Sequence, residues 1–420
     1  MTPEEYLELG LTHSIHTSAR RSFRSCRRRW DWAYRQMYYP KVEAAPLEFG
    51  VAFHKAMEAF YEPSLWANPD HFIIGQGLAL VAFRQTCEAQ LKKYKRLNGD
   101  PDVTVIDEYK ERVKLGLNMI RYYTERMSTQ YDKGFTPVRV EVPFEVLIKS
   151  PQGAPLWCKC DSCWQRFCNG NTIKKIVKSD PSLTWNNLFV NHPELYRTSA
   201  WDGLPVTYGG RLDALVQDDI GRYWIVDFKT TSRILDEDAE ASFLQLDDQI
   251  GSYCWSLREV GIPTAGFIYI EIKKAYPQPP EELSRLYKGR KYSTNKQFLT
   301  TYDIFHDHVI LYDHDAYATG LYDDHLAWLK AEGPKFHQRH QIHKNDHELD
   351  EIGHNIWLEA QDILQNPRVY PQPGRFSCTT CLYRQPCLGV NMGEDYQWTL
   401  DTLFERRDRH YWEDGPPSTE

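Results

Sequence analysis

The step Asp227-Phe228-Lys229, which closes the apolar run WIV in WIVDFKTT, sets a carboxylate and an ammonium two residues apart. Side chains alternate along a strand, so both would project from one face. A second carboxylate, Asp213 in GGRLDALV, lies on the preceding apolar segment, and the turn-forming DDIG (218–221) between the two predicts a hairpin. Neighbouring strands run about 4.8 Å apart, so the two aspartates can converge on one ion. Paired carboxylates suit hard cations such as Mg²⁺ or Mn²⁺, which take oxygen ligands. With a lysine beside them, the chemistry that fits is phosphodiester hydrolysis. The ion neutralises the phosphate and activates a water, and the ammonium orients that water or steadies the charge that develops. The backbone carbonyl of Phe228 is a candidate third ligand. Any one of these residues alone would read as the solvated end of a strand; the combination carries the inference.

The surrounding patterns predict how these residues are positioned. Residues 18–36, 47–61, 72–97 and 104–130 read as helices by their 3.6-residue apolar spacing, and the second carries His54 beside Phe53, Met57 and Phe60. The alternation in VRVEVPFEVLI predicts a strand over 138–148; further strands follow at 207–217, 222–231 and 264–274. A helix over 241–260 sets Gln249 and Tyr253 one turn apart. Residues 275–300 read as a polar loop, and 302–333 and 345–365 as helical. The expected organisation is an N-terminal helical region (1–135), a core (136–275) with a Cys-rich insertion (149–204), a C-terminal helical region (276–395) and a charged tail (396–420). This predicts an α/β fold: a mixed central sheet flanked by helices, with large helical N- and C-terminal parts.

Composition excludes several classes. Hydrophobic residues at 41% and charged residues at 26% suit a globular chain rather than a disordered one. The most apolar stretch, FIIGQGLALVAF, is too short to span a bilayer, and the acidic start MTPEEYLELG does not resemble a signal peptide. A cytoplasmic location and no membrane partner are therefore expected. The net charge of −8 supplies no overall positive field. Two local basic groups stand out, Arg20, Arg21, Arg24, Arg27, Arg28 and Arg29, and Lys288, Arg290, Lys291 and Lys296. Each can meet phosphates or simply form a solvated face.

Ten cysteines in a cytosolic chain point to metal or cluster ligation more than to disulfides. Cys158, Cys160, Cys163 and Cys168 fall within eleven residues of the insertion. They can hold zinc as a small knuckle, although such tight spacing strains a tetrahedron, or remain free thiols. Trp157, Trp164 and Phe167 interleave with them, either to pack locally or to stack on single-stranded DNA. A second group, Cys378, Cys381 and Cys387, needs a fourth thiolate, for which Cys26 is the candidate.

Taken together, His54 on its helix, Gly210 to Asp213, Asp227 to Lys229, and Gln249 to Tyr253 resemble the RecB-type branch of the PD-(D/E)XK nuclease superfamily. The resemblance covers roughly 40–60 and 205–275, with 138–148 as the preceding strand. It implies a restriction-endonuclease-like core. It further implies His54, Asp213 and Asp227 as metal ligands, Lys229 as catalytic, and Gln249 and Tyr253 as catalytic-site residues that contact DNA or support the site. Glu58, one turn beyond His54, is a candidate to join through a water. The cysteine pattern is similar to that of AddB-type helicase-nuclease subunits and CRISPR-associated RecB-like exonucleases. In these, one N-terminal and three C-terminal cysteines bind a [4Fe–4S] cluster, here Cys26, Cys378, Cys381 and Cys387. The implied activity is a Mg²⁺- or Mn²⁺-dependent DNA exonuclease acting on ends, including single-stranded ones, in recombination, repair, CRISPR spacer acquisition or phage DNA processing. No G-x-x-x-x-G-K-[ST] loop occurs, so unwinding would fall to a helicase partner. A recombinase or CRISPR adaptation partner is the other expectation. The alternatives are a structure-specific endonuclease on the same core and a catalytically inactive DNA-binding module; the presence of Asp213, Asp227 and Lys229 together argues against the latter.

Overall fold

A computed structural model of the protein describes residues 2–41, 45–168, 202–234, 241–365 and 368–407. The described strands are β1 (His13–His16), β2 (Tyr38–Pro40), β3 (Phe135–Leu147), β4 (Trp157–Cys158), β5 (Leu204–Asp218), β6 (Tyr223–Thr231), β7 (Thr264–Lys273), β8 (Glu282–Tyr287), β9 (Arg290–Tyr292), β10 (His337–Ile342) and β11 (Phe404–Arg406). Seven of them form one mixed sheet: β1, β3, β4, β5, β6, β7 and β10.

The long strand β5 organises this sheet. Along one edge it pairs antiparallel with β3 from Thr207 to Asp218. The opposite edge is shared: β1 pairs parallel with residues 206–209, and β6 antiparallel with residues 214–217. Residues 210–213 fall in neither of these two ladders. β6 then pairs parallel with β7, which a crossover helix makes possible, and β10 closes that side antiparallel to β7.

The helices that matter for the site are α1 (Pro3–Glu8), α2 (Thr17–Ser25), α3 (Ala45–Phe60), α4 (His71–Asn98), α5 (Val103–Tyr122), α6 (Asp161–Cys168), α7 (Asp248–Glu259), α8 (Asp346–Leu364) and α9 (Tyr396–Leu403). Strand alternation assigns Leu215 and Ile225 to one face, under α7 and α8, and Ala214, Val216, Val226 and Phe228 to the other, under α3, α4 and α5. Both faces are covered, which is why the strands read as nearly continuous apolar runs. Phe53, Met57 and Phe60 are fully buried on α3, each contributing about 1.5–3 kcal/mol. This arrangement is a restriction-endonuclease-like α/β fold, as the sequence predicts. No described helix is long and apolar enough to cross a membrane.

Several elements differ from the sequence reading. The helix expected over 18–36 breaks at Cys26, whose backbone is extended (φ −165°, ψ 112°) before a helical turn resumes at Arg27. The expected polar loop 275–300 contains the β8–β9 hairpin. Its turn residues Lys288 and Gly289 both have positive φ (50° and 80°), as a tight two-residue hairpin turn requires. β1 and β10 bring both flanking regions into the central sheet. The expected tail begins as ordered structure: α9 and β11 pack Leu400 and Phe404 against Trp32, Tyr38 and Tyr383, and β11 pairs with β2. Residues 169–201 of the expected insertion and 408–420 of the tail lie outside the described residues.

Candidate active site

The open stretch of β5 is where the carboxylates meet. The β5–β6 ladder ends at the pair Ala214–Val226, so the next facing positions are Asp213 and Asp227. There the strands part, and Asp213 Oδ2 accepts a side-chain bond from the Phe228 amide (2.8 Å). Upstream, two glycines allow the close packing that delivers Asp213. A Cβ on Gly210 would lie 2.5 Å from the Phe144 ring, and one on Gly209 2.6 Å from Ser14 Oγ.

Lys229 shares the face of Asp227, and its Nζ donates to Asp227 Oδ1 (2.9 Å). From the α3 side, His54 Nδ1 approaches Asp213 Oδ2 at 3.1 Å. From the α7 side, Gln249 Nε2 donates to Asp227 Oδ1 (2.9 Å). Gln249 is placed there because Asp247 caps α7, its carboxylate accepting from the Gln249 and Ile250 amides. Tyr253, one turn along, lies beside Gln249 and packs edge-to-face on Phe144 (centroids 5.2 Å). Phe228 contributes its amide to the site, and its buried ring packs on Tyr61 (5.3 Å). The structure therefore brings His54, Asp213, Asp227, Phe228, Lys229, Gln249 and Tyr253 together. Glu58 instead pairs with Lys55.

The electrostatics are set by burial and by the pairing of two carboxylates with an imidazole and an ammonium. Burial pushes Asp227 up to about 6, with Asp213 adding to the effect against the pull of Lys229. Burial also opposes ionisation of Asp213, but His54 and Lys229 outweigh it and hold Asp213 below the usual carboxylate range. The carboxylates in turn raise His54 and Lys229 in spite of burial. Asp227 Oδ2 lies 2.7 Å from Lys229 Nζ, yet no donor is aimed well enough to form a hydrogen bond with it, and it is buried. An under-satisfied buried carboxylate oxygen is costly, and a hard divalent cation would relieve it. Two carboxylates and a neighbouring imidazole fit such an ion.

Sequence reading missed some neighbours. Tyr269 and Glu271 of β7 stand in register with Asp227 and Lys229. Burial raises the Tyr269 hydroxyl to about 12. Their only signal was alternation within TAGFIYIEIKK, which does not distinguish a site residue from a sheet residue. The N-terminal arginines are largely consumed in structural pairing. Arg20 is buried and binds Asp248 (3.1 Å) and Glu359 (2.7 Å), and Arg24 bridges the same two residues, tying α2 to α7 and α8.

The two cysteine groups sit elsewhere. Cys26, at the helix break, and Cys378 lie near Cys381, and Cys387 lies beside Arg28. Burial raises Cys381, whose surroundings include Arg29, Cys26 and Cys378. Arg28 Nη1 donates to Cys387 Sγ (3.3 Å), and the Arg28 amide to the Tyr370 carbonyl (3.2 Å). In the other group, Cys158, Cys160 and Cys163 converge with His13, which the sequence reading did not include. Cys168 closes α6, and its side chain lies outside the described part. Trp157 and Phe167 pack on Tyr6 (5.9 and 6.2 Å), so these aromatics fill a local core.

A search of curated proteins finds no match. A family model described as the PD-(D/E)XK nuclease superfamily matches residues 17–388. That span takes in His54, both aspartates, Lys229 and the α7 pair, and on this match the chain belongs to the PD-(D/E)XK nuclease superfamily.

Proposed function

We propose that this nuclease is a Mg²⁺- or Mn²⁺-dependent DNA exonuclease. The observation that carries the reading is the convergence of His54, Asp213, Asp227 and Lys229 at the point where β5 and β6 part. Asp213, Asp227, His54 and the Phe228 carbonyl would hold the ion. When bound, the ion supplies charge neutralisation at the phosphate and lowers the pKa of a water. In that role the His54 imidazole would serve as a neutral nitrogen ligand and Asp227 as a carboxylate ligand. Lys229, held beside Asp227, would face the reacting phosphate and steady its developing charge. Gln249 keeps the Asp227 carboxylate oriented, and Tyr253 keeps Gln249 in place. The preference for ends rests on the resemblance to exonucleases of this superfamily. A cytoplasmic setting in recombination, repair, CRISPR adaptation or phage DNA processing, with a helicase or recombinase partner, goes with it.

We also propose that Cys26, Cys378, Cys381 and Cys387 bind a [4Fe–4S] cluster that staples the two chain ends. Supporting this, the chain breaks its helix at Cys26, and the Arg28 and Arg29 side chains bring positive charge to sulfurs that must bind as thiolates. The cluster's role in this reading is structural.

The deciding experiment incubates purified protein with end-labelled linear and closed circular DNA, with Mn²⁺ or with chelator. Metal-dependent release of label from linear DNA alone is expected. Cleavage of circles would replace the exonuclease by a structure-specific endonuclease, and binding without cleavage would remove the enzyme reading. Anaerobic purification should yield brown protein containing iron and acid-labile sulfide, and Cys26→Ala should lose both.

A further inference from the structure

The N-terminal end of β5 gathers a second set of donor atoms, independent of the nuclease reading. β4 pairs there with β5, setting Cys158 opposite Leu204. β1, on the other edge, sets His13 opposite Val206. The chain then turns into α6, which brings in Cys160 and Cys163. The ring Nδ1 of His13 lies 3.1 Å from Cys163 Sγ, and the Cys160 and Cys163 sulfurs are 3.4 Å apart. All four donor atoms lie within 4.8 Å of one another. Among the described residues no other group of three or more His, Cys, Asp or Glu side chains gathers so tightly. The corner is built to be closed. Cys158 and Cys163 are each 3% exposed and Phe167 is fully buried. Arg166 of α6 donates to the Thr12 carbonyl (2.7 Å), one residue before His13. Gly203, at φ +106°, lets the returning chain pass so close that a Cβ would lie 2.5 Å from the Cys158 carbonyl oxygen.

Zinc bonds thiolate sulfur at about 2.3 Å and imidazole nitrogen at about 2.0–2.1 Å. A tetrahedron of that size separates its ligand atoms by roughly 3.5–3.8 Å, within the span seen here. Three thiolates and an imidazole are a soft donor set that selects zinc over the hard ions suited to carboxylates. We propose that His13, Cys158, Cys160 and Cys163 bind one zinc ion as a closed structural site, with His13 in place of Cys168 as the fourth ligand. The ion ties β1 to the root of the insertion across the end of β5, joining residues 150 positions apart. Four protein ligands leave no open position, so the site holds structure and does no chemistry. Its effect reaches the active site through β1, whose His16 bonds the Gly209 carbonyl (2.7 Å) four residues before Asp213.

The test uses the full chain, purified with zinc present, with zinc and iron measured separately and the zinc neighbours counted by X-ray absorption at the zinc edge. One zinc per chain with three sulfurs and one nitrogen is expected. Four sulfurs would overturn the assignment of His13, and a chain that takes up no zinc would overturn the site. Cys168→Ser should keep one zinc. His13→Ala and Cys160→Ser, the latter at an exposed position that should still fold, should release zinc to a chromophoric chelator at least about tenfold faster. Release at the wild-type rate from both variants would overturn the proposal.

Discussion

One strand, β5, serves two clusters of opposite character. Near its middle, Asp213 meets Asp227 where the ladder opens, and a buried carboxylate oxygen is left without a well-aimed donor. At its N-terminal end, Cys158, Cys160, Cys163 and His13 close around a common centre behind a packed aromatic corner. Hard oxygen donors lie beside an opening in the sheet, and soft sulfur donors are folded into a corner. The difference teaches that one strand can set donors of opposite kinds in opposite environments, one beside an opening and one in a packed corner. The first keeps an unmet electrostatic demand, visible in the Asp227 carboxyl held up at about 6 by burial. The second gathers soft donors at a spacing that a zinc ion fits.

The comparison can be broken most decisively at Asp227. Asp227→Ala should lower cleavage of end-labelled DNA by at least about a thousandfold while zinc and iron contents stay at wild-type values. Loss of zinc alongside activity would show that the two ends of β5 are not separable. Lys229→Met comes next, at roughly 10²–10³-fold in rate, with Mn²⁺ binding by calorimetry retained; abolished binding would reassign Lys229 from chemistry to assembly of the site. Gln249→Ala should cost about 10–100-fold, through weaker Mn²⁺ affinity as well as rate, because it orients a ligand. A brief chelator wash should remove activity, with Mn²⁺ restoring it and the zinc still bound. Activity that returns only with added zinc would reverse the roles of the two clusters.

The smallest effect is on stability against acid. Burial lowers His16 to about 4 from its ordinary 6.5, although its ring donates to the Gly209 carbonyl. Between those values the unfolded chain takes up a proton that the folded chain refuses. Stability from this group is therefore complete above pH 6.5 and declines as pH falls toward 4. Thermal melts from pH 7.5 to 5 should show Tm falling, and His16→Asn should flatten that dependence by about a few degrees. An unchanged slope in the variant would assign the acid sensitivity to other buried groups, such as His337, which burial lowers to about 3.

Much of the candidate site's assembly was legible before folding. The Asp227-x-Lys229 step, the DDIG turn and the helical spacing around His54 are local patterns, and local patterns follow strand and helix periods. The fourth donor at the cysteine corner was not legible in this way. Cys168 is near in sequence, whereas His13 sits in the short polar segment HSIH with no period to mark it. The arginine group misled similarly: its composition suggests an exposed basic face, but Asp248 and Glu359, far along the chain, draw Arg20 and Arg24 into structure. β10, HQRHQI, also reads as polar because its partner strand and neighbouring helices, rather than its own apolar content, settle its place.

The sequence by itself thus determined the secondary elements around the hydrolytic motif, the pairing of its two strands, and the identities of the carboxylates, lysine and imidazole. Only the tertiary structure decided that β1 and β6 share one edge of β5. That sharing leaves residues 210–213 outside both ladders and brings His13 to the cysteines. The physical reason is that alternation and helical period are written residue by residue. A gap in a sheet edge and a donor set drawn from segments 150 positions apart depend on register, which is settled when all the strands pack at once.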